Sequence, residues 1–161
     1  MSYTPVNPKV MNTPSPQGLP LRRMLATDSK TWKKGELFFL TSGAPEPVAG
    51  SGKTNVWGIF AEDQDTSTSS TTVWVKQLIL DTLLEISVMN AASTAAIAST
   101  NIGTKYGVEA LSNITYLDLG TASGQFEVTR LASDYMPEQS GRQTTDFDAA
   151  AGLCEVRFST V

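Results

Sequence analysis

ITYLDLGTASGQFEVTRL, residues 114–131, holds two alternating runs around a turn rich in Gly, Ser and Thr. In ITYLDL and FEVTRL, apolar, aromatic and β-branched residues alternate with polar ones, the period of a half-buried strand. GTASGQ between them carries two glycines and no apolar pattern, the composition of a connection. The stretch predicts a β-hairpin with a loose loop and a domain built of strands.

Similar segments flank it. Downstream, the polar loop ASDYMPEQSGRQTTDFDAAAG leads to a closing strand, LCEVRFSTV. Upstream, Gly103 and Gly107 mark turns around a short strand in NIGTKYGVEAL, and alanine-rich NAASTAAIAST predicts a helix of about two turns. VWVKQLIL and LLEISVM, split by Asp81-Thr82, read as an antiparallel pair. ELFFLTS and NVWGIFAED read as a second pair joined by a flexible loop, SGAPEPVAGSGKT. About eight short strands and little helix predict a mainly β domain, a barrel or sandwich that limits exposed edges.

Residues 1–31 differ in kind. Pro5, Pro8, Pro14, Pro16 and Pro20 exclude a helix and predict an extended arm without ladder partners of its own. Yet Val6, Val10, Met11, Leu19, Leu21, Met24 and Leu25 are more apolar than a solvated tail requires, so the arm is expected to seek another surface. The chain therefore divides into an arm, 1–31, and a single β domain, 32–161.

Charge follows the same division. The 161 residues carry a net charge of −4, but Lys9, Arg22, Arg23 and Lys30 against Asp28 make the arm basic and leave the body with the acidic excess. An acidic body is unsuited to phosphate backbones, so no nucleic-acid partner is expected. The opposed signs suit an arm lying on an acidic neighbour, or equally two solvated regions. No apolar stretch is long enough for a membrane span, and MSYTPVNPKV has neither a basic n-region nor an apolar h-region, so synthesis in a cytoplasm and no membrane partner are expected.

Catalytic motifs are sparse. Histidine is absent, which removes Ser-His-Asp and Cys-His pairs. Cys154 lies in an apolar alternation and reads as a core residue. Gly50-Ser51-Gly52-Lys53-Thr54 imitates a phosphate loop, but Pro47 stands where the first glycine belongs and a strand follows. Glu62, Asp63 and Asp65, and likewise Asp146 and Asp148 around Phe147, lack a complete calcium-loop pattern and read as acidic loops. Glu85, Glu127 and Glu155 fall in strands and are expected to face solvent, although a carboxylate pair is the one catalytic device left to consider. Trp32, Trp57 and Trp74 suit packing or interface anchoring, with sugar stacking as the other use.

The order of segments WKKGELFFLTSG, VWGIFAEDQDT, TTVWVKQL, LLEISVM, AASTAAIASTNIGTKYGVE, YLDLGTASGQFEVTRL and CEVRFSTV resembles the capsid decoration, or cement, proteins of tailed bacteriophages, over about residues 32–161. Gly58-Ile59-Phe60-Ala61-Glu62-Asp63 and Gly103-Thr104-Lys105-Tyr106-Gly107-Val108, then Tyr116-Leu117-Asp118-Leu119, carry most of the likeness. The resemblance implies a compact β-tulip or small barrel without enzymatic activity or cofactor. It implies a place on the outer capsid surface of a virion, made in the bacterial host cytoplasm. The implied partner is the major capsid protein, bound by trimers or, in some cases, dimers. Val6, Val10, Met11, Leu19, Leu21 and Met24 are the expected arm contacts, with Arg22 and Arg23 meeting carboxylates. The rival expectation is a fibre or adhesin module that binds host carbohydrate through its tryptophans.

Overall fold

The computed structural model describes residues 5–68, 70–90, 93–135 and 152–160. Strands β1 (Lys9–Asn12) and β2 (Leu21–Leu25) are followed by β3 (Leu37–Thr41), β4 (Ala44–Pro47), β5 (Gly50–Lys53) and β6 (Gly58–Phe60). Then come β7 (Thr72–Gln77), β8 (Leu83–Asn90), β9 (Ser93–Thr94), β10 (Lys105–Leu111), β11 (Ile114–Ala122), β12 (Phe126–Leu131), the single turn α1 (Ala132–Tyr135) and β13 (Leu153–Phe158). The protein is mainly β and has two sheets.

The larger sheet runs β1-β8-β11-β10-β12-β13, with β5 on β10 and β9 on β8. β13 also pairs with β8, the second strand of that order, but the two sheets do not make the closed barrel that was one expectation. The smaller sheet runs β2-β7-β6-β3-β4. Two tight hairpins have consecutive left-handed residues at their tips, Ser42-Gly43 between β3 and β4 and Ser112-Asn113 between β10 and β11. That backbone matches the strand twist of a two-residue connection.

The larger core gathers Leu37, Ile59, Leu84, Ile86, Val88, Val108, Leu117, Phe126, Val128, Cys154 and Val156 between the sheets. Cys154 is buried there as expected, its Sγ donating to the Ile86 carbonyl. A smaller core holds Ala26, Trp32, Phe38, Phe60, Val73 and Val75. Leu37 and Phe38, and Ile59 and Phe60, thus feed opposite cores. Burial on both faces explains why these strands read as unbroken apolar runs instead of alternations.

Several expectations are corrected. ITYLDL and FEVTRL are strands but not a hairpin: β10 lies between them, with Tyr106 registered against both Ala122 and Phe126. VWVKQLIL and LLEISVM do not pair, since β7 is in the smaller sheet and β8 in the larger. The chain crosses between sheets at a turn in which Asp81 is left-handed and Thr82 Oγ1 donates to the Ile79 carbonyl. ELFFLTS and NVWGIFAED do meet, β3 on β6, but their connection holds β4 and β5 and is no flexible loop.

The described part of NAASTAAIAST is extended and ends in a 3₁₀ turn at Ser99–Asn101; Ala91 and Ala92 lie outside the described residues. Asn101 Oδ1 accepts the Ala98 amide, a local bond that competes with helical ones, and Ile97 is drawn into the larger core. Asp146, Phe147 and Asp148 also lie outside the described residues.

Residues 1–31 were expected to lack ladder partners. Instead β1 pairs with β8 and β2 with β7, one strand for each sheet. Neither strand contains proline; the five prolines flank them. Asn7 fastens the segment further: its Nδ2 donates to the Asn113 carbonyl and its Oδ1 accepts the Thr115 amide. Its Cβ sits where a side chain on Gly35 would go, and Gly35 is left-handed at φ +93°.

Candidate interaction surface

β2 and β7 together present a wing of the smaller sheet with two unlike faces. Register carries one face across the sheet from Leu37 to Ile59, then Lys76, then Leu21. At Leu37 and Ile59 this face is the floor of the larger core. Along β7 and β2 the same face carries Thr72, Trp74, Lys76, Leu21, Arg23 and Leu25, all exposed. Leu21 is 56%, Leu25 57% and Trp74 42% exposed. The opposite face sends Val73, Val75 and half-buried Met24 into the smaller core.

The expected arm contacts divide accordingly. Val10 and Leu19 are half-buried against the larger core, and Met24 against the smaller. Val6, Met11 and Leu21 are exposed. Arg22 Nε donates to Gln77 Oε1 at 2.7 Å, and Arg23 Nη2 to Thr72 Oγ1 at 3.1 Å, while the Arg23 guanidinium lies over the Trp74 ring. Leu25, Trp74 and Lys76 belong to the same face but were not among the expected contacts. The alternation of VWVK, with two valines in the core, was the signal that Trp74 and Lys76 point the other way.

Two tryptophans are structural. Trp32 is fully buried, stacked on Phe60 at 4.3 Å, and its Nε1 donates to the Glu62 carbonyl. Trp57 is half-buried with its ring 5.7 Å from that of Phe38. Trp74 is the exposed one.

The acidic residues of the β6–β7 loop make contacts within the chain. Asp63 Oδ1 accepts the Lys34 amide, Glu62 Oε1 the Trp74 amide, and Asp65 lies 3.8 Å from Lys33 Nζ. Among the described residues no group of three or more His, Cys, Asp or Glu is placed to hold a metal ion. Glu155 corrects the expectation that the strand glutamates face solvent: it is buried, accepts from Thr129 and Arg130, and its pKa is held down by Arg130. Glu85 stands opposite it in register and accepts from Tyr135, and Glu127 pairs with Arg157. The arm's Lys30 is paired with Glu46 at 2.8 Å, which keeps the Glu46 carboxyl below its ordinary pKa.

A cleft of about 320 Å³ between the β3–β4 side and the β10–β11 turn is lined in part by Glu36, Val48 and Leu111. Glu36 is buried and accepts the Lys33 amide, and desolvation raises its pKa from 4.5 to about 7. A raised carboxyl binds its proton more tightly folded than unfolded, so stability is lost as pH climbs from about 4.5 through about 7. Glu36→Gln is expected to remove that slope, with a gain of about 3 kcal/mol at pH 8 and almost none at pH 4. Urea midpoints of both proteins across this range test it; parallel curves would sink the assignment.

Comparison with protein-family models, curated proteins and solved structures returns no match for the chain.

Proposed function

We propose that this protein is a non-enzymatic capsid decoration protein of a tailed bacteriophage, which binds the outside of the head and joins neighbouring major capsid proteins. The observation that carries the reading is the layout of the N-terminal segment. Basic and apolar, attached to an acidic body, it leaves Val6, Met11, Leu21 and Leu25 exposed along one chain segment. On β2, Leu21 and Leu25 flank Arg23 on one face, a pattern that suits a surface made to be covered. A small-barrel or tulip-like description of the domain belongs to the same proposal. Burial of such exposed apolar side chains is worth about 25 cal/mol per Å² before ordering costs, so each copy adds little and the many copies on a lattice strengthen the shell. Assembly as trimers or dimers belongs to the same proposal.

Deleting the arm is a poor test, since residues 9–12 and 21–25 contribute strands to both sheets. Surface changes keep the ladders. Wild-type protein is expected to sediment with capsids assembled without their decoration protein and to raise their rupture temperature. Leu21→Glu with Leu25→Glu is expected to lower capsid affinity at least tenfold while the circular dichroism is unchanged. Failure of the wild-type protein to associate with such capsids overturns the proposal.

A further inference from the structure

β2 is the outer strand of the smaller sheet, and its hydrogen-bond parity can be read directly. The Pro20 carbonyl accepts the Gln77 amide, and the Ala26 amide donates to the Thr71 carbonyl. In an antiparallel ladder the bonding residues alternate, so Arg22 and Met24 address β7. Leu21, Arg23 and Leu25 turn their backbone N–H and C=O groups to the other side, where no strand among the described residues is paired. Beyond Leu25 the edge closes, because Thr27 Oγ1 donates to the Pro45 carbonyl of β4. β4 also lies close to β2 itself, so the free edge spans at most the five residues of the strand.

The same three residues have exposed side chains on one face, and Arg22 is exposed on the other. Leu21 and Leu25 flank Arg23, which lies beside Trp74, with Lys76 across from Leu21. Arg22 and Arg23 donate to neutral side chains, Gln77 and Thr72, and none of the ion pairs among the described residues involves Arg22, Arg23 or Lys76. The nearby carboxylate of Glu62 accepts the Trp74 backbone amide. The edge thus combines strand-ready backbone, two apolar side chains and unneutralised positive charge. The pattern is palindromic about Arg23.

We infer that the open edge of β2 docks an extended acidic segment of a partner protein, added as a further strand, with apolar residues beside Leu21 and Leu25 and a carboxylate beside Arg23. Main-chain bonds supply affinity in this mode, and alternate side chains supply selectivity. A second copy of this chain is a poor occupant. Centring β2 on β2 places Arg23 against Arg23, and like charges directly opposite are destabilising. Arg23 therefore guards the edge against self-pairing and selects acidic strands. As a description of the capsid contact, this inference rests on the proposed function.

The probe is a short peptide bearing Val-Thr-Glu-Thr-Val, compared with a Lys-for-Glu version and one with prolines at the strand-bonding positions. Titration is followed at the amides of Leu21, Arg23 and Leu25 by nuclear magnetic resonance. The Glu peptide is expected to shift and protect these three amides, the Lys peptide to bind at least tenfold more weakly, and the proline peptide not to bind. Arg23→Glu is expected to reverse the preference; Arg23→Gln, which keeps a neutral donor for Thr72, is expected to abolish it. Equal titration by the Glu and Lys peptides, or no change at the three amides, overturns the inference. If wild-type protein ignores capsids yet takes the Glu peptide, the edge site stands and the capsid reading falls. If capsids hold Arg23→Glu as tightly as wild type, the edge is not the contact although the capsid reading survives.

Discussion

Gly124→Ala is expected to lower stability by at least about 3 kcal/mol, roughly 6–12 °C in unfolding midpoint for a chain of this size. Gly124 lies in the short link between β11 and β12, where both strands flank the start of β10. A Cβ at this position would fall on the Tyr106 carbonyl and the Gly107 amide. Those are backbone atoms of a strand paired on both sides, so no side chain can swing away to make room. The ladder itself has to open. Gly103→Ala provides the contrast: Gly103 is left-handed at φ +85° but has nothing within 4 Å of a new Cβ. It is expected to cost only about 1 kcal/mol, the conformational term alone. Thermal melts of the two variants decide the matter, and equal losses would show that close approach at Gly124 is not what constrains it.

Trp32→Ala is expected to cost about 3–5 kcal/mol, the range for removing a large aromatic side chain from a core. The indole is fully buried, nearly parallel to Phe60 at an interplanar angle of 10°, and backbone bonds to Gln64 in both directions fix the residue in place. Truncation empties the centre of the smaller core and also leaves the Glu62 carbonyl without its indole donor. Trp32→Phe is expected to fall between wild type and alanine, because it restores volume but not the donor. Trp74→Ala, on the exposed face, is expected to stay within about 0.5 kcal/mol of wild type. Chemical denaturation of the three variants checks the order. A Trp74 variant as unstable as the Trp32 one would mean that the wing face is covered within the chain and cannot serve as a docking surface.

How far the fold was legible depended on which interactions are local. Alternation in VWVK and FEVTRL marks strands because the side-chain period is a property of the backbone, whatever the partner. Cys154 was legible as core for the same reason. Helix propensity misled in the described part of NAASTAAIAST, since alanine content is a weak preference that burial of Ile97 and side-chain bonding at Asn101 override. Proline content misled in residues 1–31. The prolines bracket β1 and β2 and leave the intervening residues able to pair.

The candidate surface was partly legible. Leu21, Arg22 and Arg23 stood out by composition, but Leu25, Trp74 and Lys76 join them only because β2 lies on β7 in one register. A slip of one residue would have turned Leu21, Arg23 and Leu25 to the other face of the sheet.

Read by itself, the sequence determined that this is a β protein, that its N-terminal segment is basic and apolar against an acidic body, and that histidine chemistry is absent. These are properties of composition and of short-range periodicity. Tertiary structure alone decided which strands pair, that β10 separates β11 from β12, and which apolar residues of the N-terminal segment enter a core and which remain exposed. Pairing joins residues far apart in the chain, and its free energy comes from packing and hydrogen bonds that exist only when the distant strands are already side by side.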